Sequence, residues 1–264
     1  MKVSSDCSAR IANTSLVAAL FVVLLHVGIA GGGATADFPM RLFLRDFARF
    51  AVPFFFLASG YLMAGHVGEP GWWRRETVKR IRTLMLPYVA WSALFGLYLF
   101  IGTAVPELYR THAFDPAGWW RGKDALLFGL DLRQPPLMLP LWYLRTLFLL
   151  VLLSGVLAAA LLAVRQAVGP WLPYPVVIPF ALYGVWCAVP ATPWPKALTS
   201  LSFPIYLIHW FFVHFLSRTR PEPGVTPIAF SLAFVGIATA SVAATLALRR
   251  VLPRRMAGIL FGGR

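Results

Sequence analysis

The chain has 264 residues, 59% of them hydrophobic and only 13% charged, and its mean hydropathy of +0.71 is far above that of a soluble domain. That balance excludes an ordinary globular enzyme and indicates a polytopic membrane protein. The formal charge of +14 does not indicate a nucleic-acid partner, because Lys and Arg fall between the apolar runs and in the tails, where they set orientation.

The first apolar run, Leu16 to Ile29, carries His26 near its end. A titratable ring at membrane depth is costly and rare, and by default marks a functional site; the alternative is an interfacial histidine packed on a neighbouring helix. Lys2, Arg10 and the tripeptide Ala34-Thr35-Ala36 resemble a cleavable leader. A retained first helix is the better expectation, because several further spans follow. On that helix Ser15, Ala19, Val22 and His26 share one stripe, with Ser15 and His26 about 16 Å apart along the axis.

The second run, about 50–65, opens at Arg49 and is short for a span. If the first helix runs outward and the second inward, Arg49 lies at roughly the depth of His26. A fixed cation there could stabilise an oxyanion, or could simply anchor the helix at the interface. Pro53, Ser59 and Gly60 serve bending and close helix packing.

Five cations follow in the short stretch Arg74, Arg75, Lys79, Arg80 and Arg82. This reads as a cytoplasmic loop, which places the amino terminus inside. The third run, about 84–104, leads into a stretch of about 105–140 holding Trp119 and Trp120, expected to be the largest extracytoplasmic segment. The fourth run, about 141–163, starts with Trp142, Tyr143 and Arg145 at the outer face. These could stack on a sugar ring or form part of the aromatic belt.

The fifth run, about 172–189, contains Pro173, Pro175 and Pro179, which remove backbone donors and break helix. The sixth, about 198–217, sets Tyr206 and His209 one turn apart, and the seventh covers about 226–248. A tail with Arg249, Arg250, Arg254, Arg255 and Arg264 should be cytoplasmic. Seven full crossings cannot leave both ends on one side, so the proline-rich run is expected to be re-entrant or a half-span. The expected fold is a single all-α domain, residues 1–264, a transmembrane bundle of six to seven spans. Cys7 and Cys187 are the only cysteines, far apart, and indicate neither a disulfide framework nor a metal site. Phosphate-binding loops, dinucleotide fingerprints, zinc helices and serine elbows are not found in the sequence.

Five strings then occur in order: Leu20-Phe-Val-Val-Leu-Leu-His26; Arg49-Phe-Ala-Val-Pro-Phe-Phe-Phe-Leu-Ala-Ser-Gly-Tyr61; Lys79-Arg80 with Leu86-Pro87-Tyr88 and Trp91; Leu141-Trp-Tyr-Leu-Arg145; and Ser202-Phe-Pro-Ile-Tyr-Leu-Ile-His209. Together they resemble the membrane-bound acyltransferase 3 family, most closely its bacterial sugar and polysaccharide O-acetyltransferases. The resemblance implies transfer of an acyl group, usually acetyl, from acyl-CoA to a hydroxyl of an envelope glycan or its lipid-linked precursor. It implies a multi-pass protein of the bacterial inner membrane, both termini cytoplasmic, with acyl-CoA as co-substrate and no permanently bound cofactor.

On that resemblance His26 is the catalytic centre, as general base or covalent acyl carrier, with Arg49 as its electrostatic partner. Trp142, Tyr143, Arg145, Tyr206 and His209 would meet the substrate, and His209 could orient Tyr206, line the cavity or make an interhelical hydrogen bond. Arg75, Lys79, Arg80 and Arg82 would meet the coenzyme A phosphates, the alternative being a solvated loop. Two departures from the family pattern stand out. Position 15, where the family usually has arginine, is serine, and about ten spans would be usual, so middle helices are missing. Two rival readings follow: a catalytically inactive member that binds a glycan or partner, and a transporter using His26 and His209 as a proton relay.

Overall fold

The computed structural model describes residues 4–30, 50–67, 69–104, 138–168, 189–219 and 227–262. All regular structure among them is helical. The elements are α1 (Ser5–Ala30), α2 (Ala51–Ala64), α3 (Trp72–Arg80), a π-helical turn (Ile81–Met85), α4 (Leu86–Ala104), a 3-10 turn (Leu139–Leu141), α5 (Trp142–Val168), α6 (Lys196–Thr199), α7 (Ser202–Thr219), α8 (Pro227–Val251) and α9 (Arg254–Phe261). Arg49, Trp119, Trp120 and nearly all of the proline-rich stretch at 172–189 lie outside the described residues.

Six of the seven apolar runs are thus helices at the expected places. Three stretches are long and apolar enough to cross a bilayer: Ser5–Val27, Trp72–Gly102 and Ile228–Val251. Shorter apolar helices are described at Ala51–Ala64, Trp142–Gly155 and Ser202–Ser217. Hydrocarbon offers the backbone no hydrogen-bond partner, so a segment immersed in it closes its own i to i−4 bonds. For the same reason apolar side chains face outward: Ile228, Leu232 and Val235, on one stripe of α8, are 74%, 68% and 58% exposed, the pattern of a lipid-facing surface.

The cationic stretch is not a loop. Residues 72–80 form α3, which runs through the π turn straight into α4. Glu76 holds it locally, binding Lys79 at i+3 and Arg80 at i+4, with N to O distances of 3.1 and 3.4 Å. Trp73 donates to Leu152 O of α5 at 3.2 Å, and a Cβ on Gly155 would stand 2.8 Å from that indole nitrogen. The tryptophan can lie on α5 only because residue 155 has no side chain.

Helix α1 is central, packing along α7 and also against α2 and α8. An aromatic core of Phe50, Phe54, Tyr88, Trp91, Phe95, Tyr143, Tyr206 and Phe261 fills the space between α2, α4, α5, α7 and α9. A second, aliphatic cluster joins α1, α7 and α8 through Leu16, Val23, Val27, Leu201, Ile205, Val213 and Ile237. In α8, Ser241 and Thr245 turn their buried hydroxyls back onto Ile237 O and Ser241 O, both at 2.7 Å; small residues with satisfied hydroxyls allow close helix approach. The short helix α9 folds back onto α4, where Trp91 Nε1 donates to Leu260 O at 2.8 Å. Gly262 ends it at φ +68°, and a Cβ there would meet Thr83 O at 2.7 Å.

Candidate active site

The side-by-side packing of α1 and α7 brings two histidines together that are 183 positions apart in the chain: His209 Nε2 lies 3.1 Å from His26 Nδ1. His26 is 7% exposed and His209 fully buried. Each Nδ1 also reaches the carbonyl one turn back on its own helix, His26 to Val22 O at 2.9 Å and His209 to Ile205 O at 3.1 Å. A carbonyl only accepts, so both Nδ1 atoms carry hydrogen in the neutral rings. His209 Nε2 is then a lone pair that takes a share of the His26 Nδ1–H, and His26 Nε2 is left as the basic nitrogen. The expected interhelical hydrogen bond of His209 is therefore made to His26. Trp210 stands edge-on to the His26 ring at 5.1 Å, and its buried Nε1 has no hydrogen-bond partner among the described residues.

Below this pair lies a cavity of about 440 Å³, within the range of small-molecule sites. Ser8 and Ser15 of α1, Arg80 of α3, and Lys196 of α6 give it hydroxyls and positive charge, and Tyr143 and Tyr206 contribute aromatic wall. His26 does not line it. Tyr206 is the link: it faces the cavity, packs on His209 with ring centroids 6.2 Å apart, and donates its hydroxyl to Pro140 O.

The expected site residues divide accordingly. Tyr143, Tyr206 and Arg80 line the cavity, and His209 backs His26. Trp142 is 37% exposed and sits at 6.4 Å from Phe56. Arg145 of α5 is buried and lies near Tyr88 of α4, outside the cavity lining. Arg75 pairs with Glu69 at 2.8 Å on the surface, Lys79 pairs with Glu76, and Arg82 is exposed. Of the four expected phosphate-binding cations, only Arg80 faces the cavity.

Sequence reading missed Asn13. Fully buried on α1, its Nδ2 donates to Pro190 O at 3.1 Å and Thr192 O at 2.9 Å, and its Oδ1 accepts from Trp194 N at 3.2 Å. One amide thus fastens the segment entering α6. On the other side Arg249 donates to the Oγ and carbonyl of Ser200, both at 3.0 Å. A polar residue two positions before Ser15, at the start of an apolar run, was the available signal.

A family model described as an acyltransferase domain, that of acyltransferase 3, matches residues 16–192. Among curated proteins, the succinoglycan biosynthesis protein ExoH of Rhizobium meliloti (strain 1021) is 28% identical over 167 residues, 58% of this chain and 43% of that protein. The chain spans less than half the length of this relative. No solved structure matches. A match over most of the chain, on the same stretch that holds His26 and the cavity-lining part of α5, establishes that the protein belongs to the acyltransferase 3 family.

Proposed function

We propose that the protein is an O-acyltransferase of the bacterial inner membrane, moving an acyl group, acetyl being the simplest case, from acyl-CoA to a hydroxyl of an envelope carbohydrate or its lipid-linked precursor. The observation that carries this reading is the buried His26–His209 pair, whose hydrogen bonds leave His26 Nε2 as a base. The family match and the resemblance to a succinoglycan biosynthesis protein support the reaction type and acceptor class.

In the proposed chemistry His26 Nε2 takes the proton of the sugar hydroxyl as its oxygen attacks the thioester carbonyl. The C–S bond then breaks, the coenzyme A thiolate leaves, and the imidazolium returns the proton to sulfur. The donor would enter through the cavity, its phosphates at the cationic end and its acyl end toward Tyr206. With α1 running outward from a cytoplasmic amino terminus, Ser15 and His26 are separated by about 16 Å of helix, comparable to a pantetheine arm. The Trp210 indole N–H is an available donor for the oxyanion beside His26.

The test is the O-acetyl content of envelope glycans from a deletion strain, the same strain complemented, and the strain complemented with His26→Ala at equal protein level. Restoration by the wild type and loss in His26→Ala, by a factor of about 10² or more for a general base, is expected. Equal acetyl content in all three would refute the reading and leave a glycan-binding member without chemistry.

A further inference from the structure

We infer that Lys196 is the residue that meets the phosphates of the acyl donor, supplying from α6 the positive charge that position 15 of α1 does not. The inference rests on the acyl-CoA reading above and adds a specific residue to it.

Ser15 and Lys196 line the same cavity, so a charge placed on either wall reaches one space. Ser15 contributes little there: its hydroxyl donates to Ile11 O at 2.7 Å, leaving a small, internally satisfied side chain where a bulkier one would occupy volume. Two cations line the cavity, Arg80 and Lys196. Arg80 is buried 3.4 Å from Glu76, a carboxylate it shares with Lys79, so its charge is partly offset within α3. Lys196 is exposed and makes no ion pair among the described residues, and no carboxylate lines the cavity with it. Among the described residues Lys196 is therefore the cavity cation with no carboxylate paired to it.

The backbone that carries it is fixed from two sides. Asn13 fastens residues 190–194 before α6, and Arg249 fastens Ser200 just after it. These two clamps, one buried side chain and one half-buried, hold a four-residue helix that has no buried residue of its own. The same anchoring seats Trp194 and Leu201 against the aliphatic cluster of α1, α7 and α8. It keeps a flexible ammonium group within reach of one place, and an ammonium is a compact point charge suited to phosphate oxygens. Ser8 and Thr199, which also line the cavity, add hydroxyls beside it.

The experiment uses the purified full chain in lipid nanodiscs, with coenzyme A binding and acetyl-CoA turnover measured across ionic strength. Lys196→Ala should raise KM for acetyl-CoA about tenfold, the loss of one charge-assisted contact, with kcat close to wild type. Its affinity should also depend less steeply on salt. Lys196→Arg should keep wild-type KM, and Ser15→Arg added to Lys196→Ala should recover most of the lost affinity. A Lys196→Ala protein with wild-type KM and salt dependence overturns the inference, as does a double variant no better than Lys196→Ala. A wild-type protein that does not bind coenzyme A overturns the acyl-donor reading, and the inference with it.

Discussion

Replacing His209 removes the acceptor that shares the His26 Nδ1–H while leaving Val22 O in place. The contact is an ordinary neutral hydrogen bond at 3.1 Å, and such a bond contributes about 0.5–1.5 kcal/mol net. If it holds the His26 ring in the tautomer and angle that present Nε2, its loss lowers kcat by up to about tenfold, since about 1.4 kcal/mol is one decade. His209→Ala also opens a hole in a fully packed site and costs stability. The informative comparison is therefore between His209→Gln and His209→Phe. Both fill the space, but only glutamine offers an oxygen to the His26 N–H. With folded protein matched by size-exclusion and thermal unfolding, single-turnover acyl transfer should place His209→Gln within about threefold of wild type and His209→Phe about tenfold below it. KM for the acyl donor should be the same in both, because His209 does not line the cavity. Equal rates in the two variants would show that His209 only fills space, and the tautomer argument would fall.

Asn13→Ala removes three hydrogen bonds and leaves Pro190 O, Thr192 O and Trp194 N without them. The expected loss is about 2–4 kcal/mol of stability, at about 1 kcal/mol per bond, read as a lower unfolding midpoint in nanodiscs, with a raised acyl-donor KM because α6 is released. Gly262→Ala forces a Cβ into a left-handed residue and to 2.7 Å from Thr83 O. It should cost about 1–2 kcal/mol from the backbone alone, and a midpoint equal to wild type would show that α9 does not need this cap. His26→Ala and Lys196→Ala divide the machinery between them, the first expected to lose turnover with donor binding kept, the second to lose donor affinity with turnover kept.

How much of this was legible in the sequence depends on whether a property belongs to one helix or to two. The helices themselves were, because a membrane imposes a local rule: about 20 apolar residues in a row must close their own backbone bonds. The runs at 14–30, 84–104 and 226–248 accordingly overlap α1, α4 and α8 over nearly their whole lengths. His26 was legible as a candidate for a similar reason, a titratable ring in an apolar run. The cationic stretch misled, because Lys and Arg density indicates which side of the membrane a segment faces and not its conformation; the Glu76 pairs to Lys79 and Arg80 make it helix.

What only the tertiary structure decided were the pairings between helices. Periodicity says which face of α1 bears His26 and Asn13, but not that α7 lays His209 against the one and that the segment before α6 lays its carbonyls against the other. Nor does it separate Arg80, turned into the cavity, from Arg75, Lys79 and Arg82, which are not. Those distinctions arise from packing α1, α2, α5 and α7 around one space, contacts between residues far apart in the chain that local hydrophobic pattern does not encode.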